Sequence, residues 1–212
     1  MSGYPIFLLG SIFISSMICI VGRFMGKDII KYIFKPLTTL LIILLALLSN
    51  DPFSFYNSFL LAGLGFALLG DVLLMLPKDR FSQGIFAFAV AIILFSIVCM
   101  QAPGPYFLWG AFIPVLIFAI IFIVVIVRRM GNLKIPAIIY IIIMSNFLLQ
   151  ATGRAWYIAE DGTGYLFAGA VLFALSDTMI SFERFIKKFR LAPVIYMTLY
   201  WTSLTLIALS TY

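Results

Sequence analysis

Histidine is absent from this chain, and charge is scarce: only 10% of its 212 residues are Asp, Glu, Lys or Arg. The first absence removes His-based metal sites, Ser-His and Cys-His hydrolase arrangements and an imidazole proton shuttle in one step. The second, beside 64% hydrophobic residues and a mean hydropathy of +1.18, excludes a soluble globular domain, whose interior could not hide so much apolar surface. The short, alternating apolar runs of a β-barrel are missing too. Of the two cysteines, Cys19 is expected near the inner end of the first helix and Cys99 near the outer end of the fourth. That separation rules against a disulfide, and both read as small apolar residues.

What is present is a series of apolar segments of about 20 residues, each long enough to cross a hydrocarbon layer of roughly 30 Å as a helix. The spans read as Pro5 to Val21, Ile33 to Ser49, Phe55 to Leu76, Gln83 to Met100, Tyr106 to Val127, Ile135 to Trp156, Tyr165 to Phe182 and Pro193 to Thr211. The expectation is an all-α, polytopic membrane bundle of eight transmembrane helices, residues 1–212 forming one domain with nothing left for a soluble one. No basic residue precedes the first span and no small-residue cleavage pattern follows it, so it reads as a retained helix and not a signal peptide.

Basic residues set the expected orientation. Arg23, Lys27, Lys31 and Lys35 lie in or beside the first loop, Lys78 and Arg80 in the third, Arg128, Arg129 and Lys134 in the fifth, and Arg184, Lys187, Lys188 and Arg190 in the seventh. The even loops, around Asp51, Pro103 and Asp161, carry none. The positive-inside rule then puts the odd loops in the cytoplasm and both termini on the non-cytoplasmic side. The formal charge of +6 reports this topology and contact with anionic lipid heads; nucleic acid is no partner. Without tails or targeting signals, the chain fits a bacterial cytoplasmic (inner) membrane.

Few ionisable groups remain at membrane depth: Asp71, Asp177, Arg154 and, near an inner end, Lys35. An aspartate at the centre of a membrane helix costs about 2.5 to 3.5 kcal/mol, which points to a functional role; the plainer reading is a protonated carboxyl fixing helix packing. Both acids precede the inner end of their span by five residues, roughly 7 to 8 Å along a helix, so they share a depth that Lys35 can reach. Their surroundings match as well. "AGLGFALLGD" ends at Asp71 and "AGAVLFALSD" at Asp177, with a basic residue seven positions later in each, the pattern a duplication would leave. Gly63 and Ala67 beside Asp71, and Ala170 and Ala174 beside Asp177, give small faces for close helix approach, so both acids point into the bundle.

Asn146, Gln150 and Arg154 form one stripe at i, i+4, i+8. They either line an internal cavity as substrate-binding groups or pack while Arg154 snorkels to the outer headgroups. Tyr196 and Tyr200, one turn apart near the inner end of the last helix, can donate into the aspartate layer, Tyr200 as a substrate-binding group; the plainer reading, interfacial belt aromatics with Trp201, suits Tyr196 better than the deeper Tyr200. Lys35 either binds a lipid phosphate or snorkels, with Pro36 harmless in the first turn of its helix.

Taken together, "KPLTT" at Lys35 to Thr39, "GLGFALLGDVLLMLP" at Gly63 to Pro77, Phe81, Gly84 and Phe88, "GAVLFALSD" at Gly169 to Asp177 and "YMTLYW" at Tyr196 to Trp201 resemble the YhhN-like membrane proteins, which include the lysoplasmalogenases. The resemblance implies an eight-helix enzyme that hydrolyses the vinyl-ether bond of a lysoplasmalogen to a fatty aldehyde and glycerophosphoethanolamine or glycerophosphocholine. In one respect the chain departs: family members often carry His-x-x-Tyr in helix 4, where Ile92 and Phe95 stand here.

Such hydrolysis needs an acid, a nearby negative charge and a placed water. Two carboxyls in a low-dielectric layer do not both ionise, so Asp71 and Asp177 supply an acid and an anion together, much as paired carboxyls do in glycosidases. Which is which stays open. The substrate is then a lysophospholipid within membrane lipid, no metal or organic cofactor is required, and oligomeric state is unspecified. The competing readings are a membrane lipid-binding protein without hydrolase activity, a transport protein using the aspartates as proton or ion sites, and an ester-cleaving lysophospholipase, the last disfavoured for want of a Ser-His pair.

Overall fold

Continuous runs of Leu, Ile, Phe and Ala with few turn residues leave the backbone one way to satisfy its polar groups in lipid, which is helix. The structure, a computed structural model, describes residues 3–26, 28–76, 80–101, 108–160 and 162–212. It consists of α1 (Gly3–Phe24), α2 (Asp28–Leu47), α3 (Phe55–Met75), α4 (Phe81–Cys99), α5 (Trp109–Val125), two 3₁₀ turns (Val127–Arg129 and Gly131–Leu133), α6 (Lys134–Tyr157), α7 (Thr163–Phe185) and α8 (Ala192–Leu209). All eight α-helices are long and apolar enough to cross a membrane. Lys27, Asp161, the start of the fifth expected span at Tyr106 and the Pro77-Lys78-Asp79 stretch lie outside the described residues.

Two boundaries differ from expectation in ways that matter. Helix α2 begins at Asp28, so Lys31 and Lys35 stand inside it and Pro36 is an interior proline, not a first-turn one. A transmembrane helix tolerates this because neighbouring groups re-satisfy the freed backbone. Helix α7 runs on to Phe185, beyond the expected Phe182, which carries Glu183 and Arg184 on its last turn.

Helices α3 and α4 pack extensively, as do α7 and α8; α2 bridges α3 to α8, and α6 bridges α4 to α7. These six close a ring, with α1 outside against α2 and α8, and α5 outside against α6. The arrangement has approximate two-fold form: the α1–α2, α2–α3 and α3–α4 packings have counterparts in α5–α6, α6–α7 and α7–α8, alongside the twin motifs that end at Asp71 and Asp177. The small faces serve as docking notches. A Cβ on Gly70 would stand 2.7 Å from the Phe88 ring of α4, and one on Gly169 2.7 Å from Ile207 of α8. Only glycine admits those neighbours without displacement. The ring is filled by Phe88, Phe173 and Tyr200, whose centroids lie 5.8 to 6.1 Å apart in edge-on contacts.

Candidate functional site

On α2, Lys35 and Thr39 are one turn apart and share the face that meets α3. Both reach Asp71. Lys35 Nζ lies 3.0 Å from Oδ1, while Thr39 Oγ1 and the Tyr200 hydroxyl of α8 donate to Oδ2 at 2.7 and 2.9 Å. Asp71 is 1% exposed and Lys35 11%. A buried carboxylate that receives a cation and two hydroxyl donors has its lone pairs occupied. Three helices converge to make this arrangement.

Asp177 is set differently. It accepts a hydrogen bond from Tyr140 of α6 and faces a slot of about 40 Å³ walled by Phe88, Phe122, Ile85 and Ala137. Among the described residues no cation pairs with it and no hydrogen bond joins it to Asp71. Each carboxyl still lies within electrostatic reach of the other, with Phe88 between the Asp177 slot and the Tyr200 ring, which it meets at 5.8 Å and 89°. The carboxyls share a neighbourhood, each with its own partners.

Toward the end of the bundle that carries the odd loops, Leu74, Phe81 and Ile180 line both this slot and a chamber of about 770 Å³. Among the described residues, the chamber wall holds Arg23, Lys31, Lys35, Arg184 and Lys188 with one acid, Glu183. Toward the other end, Ala174 and Phe118 lie one turn above Asp177 and Phe122 respectively. They begin an apolar groove of about 680 Å³ between α5 and α7, floored by Leu148 and Thr152 of α6. The groove exists because α5 packs on α6 alone and leaves the flank of α7 open. The chamber and the slot beside Asp177 thus share a wall, and the apolar groove lies about one helical turn further toward the other end, with no described lining residue in common with the slot.

Of the residues expected from sequence, Asp71, Lys35 and Tyr200 are brought together, and Asp177 joins them across Phe88. Lys35 lines the chamber, and its ammonium is the counter-ion of Asp71. Asn146 and Gln150 are elsewhere: they lie six and ten residues beyond Tyr140 on α6 and line neither the chamber nor the slot, so the substrate-binding role expected for them has no support in their placement. Arg154 closes off the far end, donating from Nη1 to the Gln101 carbonyl at 3.0 Å and lying 5.4 Å from the Tyr56 ring. Trp201 is 2% exposed and so is a packing residue, not a belt aromatic, because α8 is enclosed by α7, α2 and α1. Ile92 and Phe95 are fully buried among apolar neighbours. Cys19 and Cys99 are both free.

Sequence reasoning passed over Tyr140, Thr39 and Phe88. The twin motif held a signal for the first: Tyr140 precedes Asp177 by 37 residues, and Lys35 precedes Asp71 by one fewer, each on the helix before its acid.

The YhhN family model matches residues 30–211. Three bacterial proteins, each named "Uncharacterized membrane protein YhhN", are 27% identical over 200 residues, covering 94% of this chain and 95% of theirs; they come from Escherichia coli O6:H1, Escherichia coli O157:H7 and Shigella flexneri. No solved structure matches significantly. With a match that takes in both aspartates, all their hydrogen-bond partners and seven of the eight helices, the chain belongs to the YhhN family of multi-pass membrane proteins.

Proposed function

We propose that this protein is a lysoplasmalogenase, hydrolysing the vinyl ether of an alkenyl lysophospholipid to a fatty aldehyde and a glycerophospho-base. The observation that carries the reading is the order of three spaces along the bundle: a cationic chamber, the slot beside Asp177 that shares Leu74, Phe81 and Ile180 with it, and an apolar groove about one helical turn further on. A lysolipid has a charged head, a long apolar chain and the labile bond between them, in the same order as the chamber, the slot and the groove. A slot of about 40 Å³ admits the vinyl carbons and a water and keeps bulk solvent out.

In the mechanism, Asp177 is the acid. It lies among apolar side chains without a counter-cation, where the neutral carboxylic acid is the form that costs least. It gives its proton to the β-carbon of the alkenyl ether, and the electron pair of that double bond forms the C–H bond, leaving an oxocarbenium ion. The Asp71 carboxylate, paired with Lys35 and hydrogen-bonded by Thr39 and Tyr200, stabilises that positive charge as it develops, in a low-dielectric site already organised for it. Water adds to the α-carbon and returns a proton to the Asp177 carboxylate. The hemiacetal then collapses, its C–O bond to glycerol breaking to give aldehyde and alcohol. Tyr140 orients Asp177 throughout and is a positioning residue.

All eight helices, residues 1–212, act as one unit in this reading. The basic end faces the cytoplasm of a bacterial inner membrane, so heads enter from the inner leaflet and the chain slides laterally between α5 and α7. The test is aldehyde release by purified protein from alkenyl, alkyl and acyl lysolipids side by side. Release from the alkenyl substrate alone is expected. Equal turnover of the acyl lipid, or none of any, removes the assignment.

A further inference from the structure

Helix α1 lies outside the ring, and where it meets α8 at the basic end the two do not close completely. A crevice of about 170 Å³ remains, walled by Ile20, Phe24, Val194 and Met197 together with the side chains of Arg23 and Arg190. Arg23 stands on the last turn of α1 and Arg190 just before α8, so only the packing of α1 on α8 brings them to one place. The Arg190 guanidinium lies over the Phe24 ring at 5.5 Å, a stack that leaves its edge N–H donors available. Both arginines are exposed, and no described carboxylate lines the crevice with them.

Two guanidiniums beside an apolar crevice suit a phosphate that brings hydrocarbon with it. A free phosphate would gain only exposed ionic contacts, which are weak in water. A lipid adds the burial of its glycerol end and first methylenes. Phe24, Ile20, Met17 and Phe13 follow one another at i, i−4, i−7 and i−11 on α1, one helix stripe, and Met17 and Phe13 are exposed. A chain leaving the crevice therefore has an apolar face to lie on.

Charge separates the lipid classes. One phosphate diester leaves one of the two guanidinium charges unmatched, and the ammonium of a zwitterionic head would add a third positive charge beside them. An acidic head brings no cation, and basic pockets between helices at the cytoplasmic end are a recurring way to hold one.

We infer that the crevice between α1 and α8 binds an acidic phospholipid of the surrounding membrane, its phosphate held by Arg23 and Arg190 and one chain laid on the α1 stripe. This lipid is a resident ligand and not a substrate, so the inference stands apart from vinyl-ether cleavage. Arg23 and Met197 line the chamber as well, and the bound phosphate sets a negative charge against that shared wall.

The test is lipid binding to the purified full chain in a neutral detergent, read by native mass spectrometry and by the unfolding midpoint. Phosphatidylglycerol is expected to be retained and to raise the midpoint. Phosphatidylcholine with the same chains is expected to bind about tenfold more weakly, and glycerol phosphate not to be retained. Arg23→Gln and Arg190→Gln are each expected to weaken phosphatidylglycerol by about tenfold, the loss of one charge-assisted contact, with elution on size exclusion unchanged. Arg128→Gln removes an exposed cation between α5 and α6 and is expected to leave that affinity as it was. Equal affinity for the two lipids, or an equal loss in Arg128→Gln, overturns the inference in favour of a general attraction to basic surface. Glycerol phosphate held as tightly as the lipid overturns its lipid part. A dimer that phosphatidylglycerol leaves intact and Arg190→Gln breaks gives the crevice to a second copy of the chain and overturns it too.

Discussion

Lys35 Nζ stands 3.0 Å from Asp71 Oδ1, the carboxyl buried and the lysine partly so. A lysine whose sequence position suggests the membrane rim is thus the counter-ion of a carboxylate inside the bundle. The interior position of Pro36 goes with this, since helix α2 starts early enough to carry Lys35 and Thr39 on one continuous face.

Removing that cation leaves an uncompensated buried charge. Lys35→Met is expected to destabilise the protein by about 3 to 5 kcal/mol, read as a lowered unfolding midpoint in detergent. Adding Asp71→Asn to Lys35→Met is expected to recover much of the stability without restoring aldehyde release. A single Lys35→Met with parent stability sinks the ion-pair account.

Asp177 and Tyr140 separate chemistry from positioning. Asp177→Asn is expected to lower aldehyde release by about 10²-fold or more, the usual contribution of a placed general acid, with the protein still monodisperse on size exclusion. Tyr140→Phe keeps the ring in its packing and loses only the hydroxyl. Its kcat is expected to fall less than that of Asp177→Asn, with KM nearly unchanged.

The notch at Gly70 is a packing device. Gly70→Ala sets a Cβ 2.7 Å from the Phe88 ring, and overpacking of this kind costs about 1 to 3 kcal/mol. Phe88→Leu in the same chain is expected to relieve the strain, seen as partial recovery of thermal stability. If the double variant is the sum of its parts, Phe88 is not what fills the notch.

Asn146 and Gln150 are remote from chamber and slot. Asn146→Ala is expected to leave kcat/KM for an alkenyl lysolipid within about twofold of the parent. Gln150→Ala, which empties a buried polar position, is expected to lower stability by about 1 to 3 kcal/mol at unchanged kcat/KM in the folded fraction. A raised KM in either variant would return the α6 stripe to the substrate path.

Orientation is open to a labelling test. Lys187 is exposed just past the end of α7 at the basic end, so Lys187→Cys is expected to react with a membrane-impermeant maleimide in inverted vesicles and not in intact cells. The reverse pattern turns the bundle over.

Eight helices, their order and both aspartates were legible without coordinates, because apolar length and intramembrane charge are local properties of a chain. Asn146, Gln150 and Arg154 show the limit of that kind of reading. Their spacing correctly places three polar groups on one helix face, but spacing carries no depth, and the face meets the far end of the bundle. Tyr140 shows the opposite failure, a residue given no role by sequence that becomes the partner of Asp177 once α6 and α7 are in contact.

By itself, then, the sequence determined that this is an eight-helix membrane protein with two buried acids in matched settings, since hydrophobic length and the cost of charge in lipid depend on composition along the chain. Tertiary structure alone decided that Asp71 is saturated by Lys35, Thr39 and Tyr200 while Asp177 has one hydroxyl and an apolar slot. The physical reason is that a carboxyl's state is set by what surrounds it within a few ångströms. Those surroundings come from helices α2, α6 and α8, distant in sequence and joined only when the ring closes.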